Sequence, residues 1–167
     1  TSSISCLLLT LFIPKNYLEY PINRKDIWNI VESLPNIDFE NPDDIRKIEG
    51  LKLAVRLDRI SERIYHKFYL QTPHRLHEIE DLLKNVDENF IGSRLEESEW
   101  ATFANKLIDL CDLASPRLRV EIAYLLGLIA TENVLTTLAN LLRDPDINVR
   151  REASLSFRAM EDTFQEI

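Results

Sequence analysis

Glycine and cysteine are both scarce in this chain, at 3 and 2 of 167 residues. With so few glycines there is no glycine-rich phosphate loop and no nucleophile elbow. Cys6 and Cys111 form neither a Cys-x-x-Cys pair nor a disulfide framework, which suits a reducing compartment, and a cytoplasmic location is the expectation. Cys111 reads as a small buried apolar side chain. Long apolar runs are missing too. Ile4–Ile13 is interrupted by Ser, Cys and Thr and is too short to span a bilayer. No basic residues precede it and no small-residue cleavage site follows, so it does not read as a signal peptide. A buried strand or helix is expected there, with a peripheral membrane contact as the alternative. The chain opens on Thr1 rather than Met, as expected of a processed form or a piece of a longer protein.

Positive charge is in deficit. The net charge is −8, spread unevenly: residues 15–75 carry 11 basic against 10 acidic groups, residues 76–115 carry 3 against 10, and residues 116–167 carry 6 against 8. An acidic chain repels phosphate backbones, which makes nucleic acid a poor default partner. A hydrophobic fraction of 45% with 29% charged residues describes a folded chain of one domain or two small ones. Little Gly with much Leu, Ile, Glu and Arg favours helix, so the expected class is all-α.

Local signals place the helices. Asn23 caps a helix from Arg24 to Leu34, with Asp26 in its first turn and Pro35 at its end. Asn41-Pro42-Asp43-Asp44 starts another that runs to about Leu70. Along it Leu53, Leu57, Ile60, Ile64 and Phe68 form one apolar stripe, the face expected to be buried. Beside that stripe run Lys52, Arg56, Arg59, Arg63 and Lys67, a basic face that reads first as a solvated, partly paired surface and second as a seat for phosphate or an acidic partner. Thr72-Pro73 opens a helix from His74 to about Val86. His74 and His77, three apart with Glu78 and Asp81 nearby, have zinc-ligand spacing but no further ligands, so no metal site is expected. Residues 87–95 form a loop that divides an N-terminal helical region, 1–95, from 96–167. Ser93, Glu96 or Glu97 begins the next helix, with Trp100, Phe103, Leu107 and Leu110 inward. The paired acids Asp43–Asp44 and Glu96–Glu97 sit at helix starts, where they satisfy the dipole, and His66 and Ser61 are too far apart along their helix to act together. No catalytic set and no cofactor site is found.

The strongest pattern is internal. Phe103–Ile129 recurs without a gap as Val134–Met160, laying Leu107 on Leu138, Leu110 on Leu141, Arg119 on Arg150 and Glu121 on Glu152. Each copy holds two helical patterns joined by a polar or Pro-containing turn, the mark of stacked helical hairpins. Ala123, Gly127, Ala153, Ser154 and Ser156 are small enough for close helix approach, while Leu118, Ile122, Leu126, Val149 and Phe157 fill the layer between copies.

The run Asp144-Pro145-Asp146-Ile147-Asn148-Val149-Arg150, followed by Ala153, resembles the turn and second helix of a HEAT repeat. The short period and Leu126-Gly127 are similar to the HEAT-like repeats of bilin-lyase-type proteins. The likeness covers about residues 100–163 and departs at Phe157-Arg158, where the family has Leu-Gly. It implies an α-solenoid of stacked hairpins whose second helices line a concave, protein-binding face. It also implies that Arg119 and Arg150 tie successive repeats together through turn acids, for which Asp144 and Asp146 are available.

Glu121, Tyr124, Leu128, Arg151, Leu155 and Arg158 are left to face the groove, and an exposed Tyr and Leu beside Arg compose a protein-binding surface. With Phe157 and Phe164 near the C-terminal end, that end is expected to be covered by further repeats, a protein partner or a second copy. The expected function is a non-catalytic protein-interaction scaffold or regulatory segment. The alternatives are a component of a bilin-lyase-type assembly that chaperones a chromophore protein, and a nucleic-acid-binding repeat that uses the basic face.

Overall fold

The computed structural model describes residues 24–71 and 95–165; within them the side chains of residues 24, 57, 60–71 and 162–165 are outside the description. The expected helix over 74–86, the His74/His77 pair and the apolar run Ile4–Ile13 also lie outside the described residues. Every described element is helical: α1 Arg24–Ser33, a 3-10 turn Leu34–Asn36, α2 Pro42–Gln71, α3 Glu97–Cys111, α4 Pro116–Ile129, α5 Val134–Leu141 and α6 Ile147–Gln165. The all-α expectation holds for these residues. Among them no helix is long and apolar enough to cross a membrane.

The chain divides into two units. Among described residues one contains Arg46–Gln71, and the other joins Trp28–Ile45 to Leu95–Gln165. The stretch Trp28–Ile45 thus groups with the C-terminal helices rather than with the rest of the expected 1–95 region. Aromatic packing explains why: Trp28 meets Phe103 edge-to-face at 5.9 Å, Lys106 lies over the Trp28 ring at 5.2 Å and pairs with Glu32 at 3.6 Å, and Arg117 sits over Phe39 at 5.3 Å.

Short-range chemistry sets the helix ends. Asn41 Oδ1 accepts from the Asp43 N–H at 3.0 Å and Pro42 takes the first helical position, so α2 starts where its signal lies. Pro35 sits inside the 3-10 turn that follows Ser33, where its missing N–H costs little. Ser115 caps α4 by accepting from the Leu118 N–H at 3.3 Å, and Asp146 caps α6 by accepting from Asn148 and Val149 at 2.8 and 3.3 Å.

In the second unit α3 packs on α4 and α5 on α6, and α6 lies along α4 with smaller α4–α5 and α3–α5 contacts. The two hairpins are therefore side by side. Their core is Trp100, Phe103, Leu107, Ile122, Leu126, Ile129, Leu138, Val149, Ala153 and Met160, all at most 1% exposed. Leu110 and Phe157, both expected to be fully inward, are half-buried. The hairpins differ in their first helices, since α3 has 15 residues and α5 only 8. The difference arises at Ala130, which takes a left-handed conformation (φ 55°, ψ 36°) that closes α4 and delays the start of α5.

Cys111 is buried at the end of α3. Burial, then the neighbouring Asp112 charge, push its thiol up to about 11, against a smaller opposing pull from Arg119. It is therefore expected to stay unmodified by a thiol reagent at pH 8 in a Cys6→Ser chain, and to react only once denaturant unfolds the C-terminal unit. Fast labelling of the folded protein contradicts this.

Candidate interaction surface on the C-terminal helix

The surface follows from how α6 meets α4. Ser156 on α6 donates its hydroxyl to the Ala123 carbonyl of α4 at 2.8 Å, in a buried position. One turn on, Gly127 lies directly against it: a Cβ there would stand 2.5 Å from Ser156 Cβ and 3.0 Å from Ser156 Cα. Only a residue without a side chain permits this approach. The α4 face turned to α6 thus carries Arg119, Ala123 and Gly127 at spacings of four, one stripe of the helix.

Arg119 closes the seam at its other end. Its Nε and Nη2 donate to Asp144 Oδ2 and Oδ1 at 2.8 and 3.1 Å, a two-pronged bond from the first hairpin to the turn of the second, and its Nη1 donates to the Ala114 carbonyl at 2.7 Å. Burial pushes the Asp144 carboxyl up, but the Arg119 and Asp146 N–H bonds and the Arg119 and Arg150 charges outweigh it and hold the group below its usual value. Arg150, 31 residues on from Arg119, repeats the inner half of the arrangement. Its Nη1 donates to the carbonyls of Asp144 and Pro145 at 2.7 and 3.0 Å, and Pro145 is the counterpart of Ala114. Arg119 is thus structural, as expected, with Asp144 spanning the hairpins, while Arg150 bonds carbonyls of its own turn rather than a turn acid and Asp146 acts as a helix cap.

Of the six residues expected to face a groove, the structure separates those on α4 from those on α6. Glu121 is only 6% exposed, so its expected exposure is corrected; Tyr124 and Leu128 are half-buried. Arg117, on the same helical face, lies against Phe39 of the Trp28–Ile45 segment, so at least its end of this side of α4 is met by chain from far earlier in the sequence. Helical spacing alone cannot show that a segment 80 residues earlier in the chain returns there. On α6 the outcome is opposite. Arg151, Leu155 and Arg158 are all exposed, Leu155 by 58%, and they lie on the side of the helix away from the buried Val149, Ala153, Ser156 and Met160.

The basic face of α2 is not one surface. Lys52 is half-buried and pairs with Glu49 at 3.1 Å, Arg56 is exposed, and Arg59 is buried at 9% exposure beside a buried Asp58. The side chains of Arg63 and Lys67 lie outside the described residues. The described buried side of α2 is Ile48, Leu51, Ala54 and Val55, roughly opposite the stripe led by Leu53 on the helical wheel, and Leu53 itself is half-buried. Arg59 falls next to that buried side, which is why it is not free for phosphate. Among the described residues no group of three or more His, Cys, Asp or Glu is placed to hold a metal ion. No protein family, no curated protein and no solved structure matches the chain.

Proposed function

We propose that this chain is a non-catalytic, protein-binding segment of stacked, HEAT-like helical hairpins, and that it engages its partner through the outward face of α6. The observation that carries the reading is the exposed stripe Arg151, Leu155 and Arg158 on a helix whose opposite side is locked into the seam with α4. Arginine is enriched at interface hot spots, and covering a leucine that is 58% exposed removes apolar area from water. The rigid support matters as much. A helix held by a buried hydrogen bond and a close-packed seam presents its side chains without an ordering cost at binding.

The test is substitution within the stripe. Leu155→Asp leaves the unfolding free energy within about 0.5 kcal/mol, because an exposed position contributes little to stability. The same change abolishes co-purification of the partner from the native source, whereas a substitution at exposed Glu132 does not. Retention of the same partner by the Leu155→Asp protein counts against the α6 face.

A further inference from the structure

We infer that Arg150 is a preformed seat for a carboxylate of a second, acidic protein, which takes the place on α6 that Asp144 takes on α4. The inference rests on the reading of the α6 face as a partner surface and names the chemistry at its centre.

Internal equivalence carries it. Arg119 shows the complete arrangement: Nη1 fixed on the carbonyl before the helix cap, and the Nε–Nη2 edge taken by a carboxylate at 2.8 and 3.1 Å. Arg150 shows the first half alone. Its Nη1 is fixed on the equivalent carbonyl of Pro145 and on that of Asp144, while its Nε–Nη2 edge has no partner among the described residues. A guanidinium already anchored at one corner, half-buried and with its outer edge open, loses little freedom when a planar carboxylate docks side-on. Ser154 and Arg158 continue the stripe in the register of Ala123 and Gly127, and Arg151 and Arg158 add two exposed positive charges on the same helix. Glu161 is the acidic residue at the far end. A single carboxylate suits the site better than a phosphate dianion, because Asp144 and Asp146 stand close behind Arg150.

Another hairpin of this type, or a second copy stacked head to tail, fits the seat less well than a separate acidic segment. Close stacking on α6 would need a small residue where Gly127 lies in α4, and that position holds the exposed Arg158. A copy offering its first hairpin would present Leu113, 90% exposed, where Asp144 is required. The same side of the first hairpin is already turned to Trp28 and Phe39. An acidic segment of a different protein meets none of these obstacles.

The probe is the chain's own acid-bearing turn, a blocked peptide of residues Leu142–Val149, titrated into the full chain while the arginine Nε–H signals are followed by NMR. With a dissociation constant on the order of 1 mM, as suits a single two-pronged bond, the peptide shifts the Arg150 signal. Its Asp144→Asn version shifts it at least about fivefold less. Arg150→Lys in the protein, which keeps the charge but not the fork, removes the shifts that the acidic peptide causes in the backbone amide signals of Arg150 and Ser154 in the parent. Because the peptide variant leaves the protein unaltered, the comparison survives if Arg150 variants fold poorly. Equal shifts from both peptides, a larger shift from inorganic phosphate, or no Arg150 shift in about tenfold excess over that constant each overturn the seat. Shifts confined to Arg151 and Arg158 overturn it as well, while leaving the α6 face intact as a partner surface.

Discussion

Replacing Gly127 with alanine lowers the stability of this protein by about 2 kcal/mol, although alanine is the better helix former by about 1 kcal/mol. The added methyl would stand 2.5 Å from Ser156 Cβ and 3.0 Å from the backbone of α6. Neither atom is the end of a flexible side chain, so α4 and α6 must separate. Separation lengthens the Ser156–Ala123 hydrogen bond and opens a seam packed at 0% exposure around Ile122, Ala123 and Ala153. Gly127→Val extends the conflict and costs about 4 kcal/mol or prevents folding. Urea unfolding measures the effect as a lower midpoint at an unchanged slope. In a double-mutant cycle Ser156→Gly recovers part of the loss, with a coupling of about 1–2 kcal/mol. A Gly127→Ala protein as stable as the parent would show that the seam is looser than this geometry.

Asp144→Ala is expected to cost about 3 kcal/mol, because it leaves a largely covered guanidinium without its carboxylate. The Arg119 side chain is 19% exposed and that of Asp144 8%, so water replaces the lost partner only in part. The same pair sets an acid limb on stability. The folded-state carboxyl is held below its usual value, so its contribution is complete above the unfolded pKa of about 3.9. That contribution is lost as pH falls through the folded-state value. Asp144→Asn removes the titrating group, and the stability of that variant falls less steeply than the parent's below about pH 4. Parallel curves for the two proteins would mean that the Arg119 bond does not discriminate between the charged and neutral acid.

How much was legible beforehand differs from element to element. The start of α2 at Asn41-Pro42 and the inward residues Trp100, Phe103, Leu107, Leu118, Ile122 and Leu126 are written in residues a few positions apart, and the structure has them where those signals fall, whereas the caps Ser115 and Asp146 came from the structure. The α6 residues Arg151, Leu155 and Arg158 were legible as a surface for the same reason. Glu121, Tyr124 and Leu128 were not, since their exposure depends on what the folded chain brings against α4 from distant positions. Arg59 was misplaced likewise: a helix with apolar residues on more than one side does not say which side meets a neighbour.

From the residues alone come the helical class, the 31-residue offset between the two hairpins and the start of α2, whereas the pairing of an arginine with a turn aspartate was an implication of the likeness to HEAT repeats. The first three rest on periodicity, capping and charge, which act over one or two turns of chain. Only the folded molecule decided that Gly127 exists to admit Ser156, that Arg119 holds a carboxylate while Arg150 has none among the described residues, and that α6 rather than α4 keeps its expected stripe exposed. Those outcomes depend on which surfaces the chain brings together across long separations, and a local pattern holds no record of that.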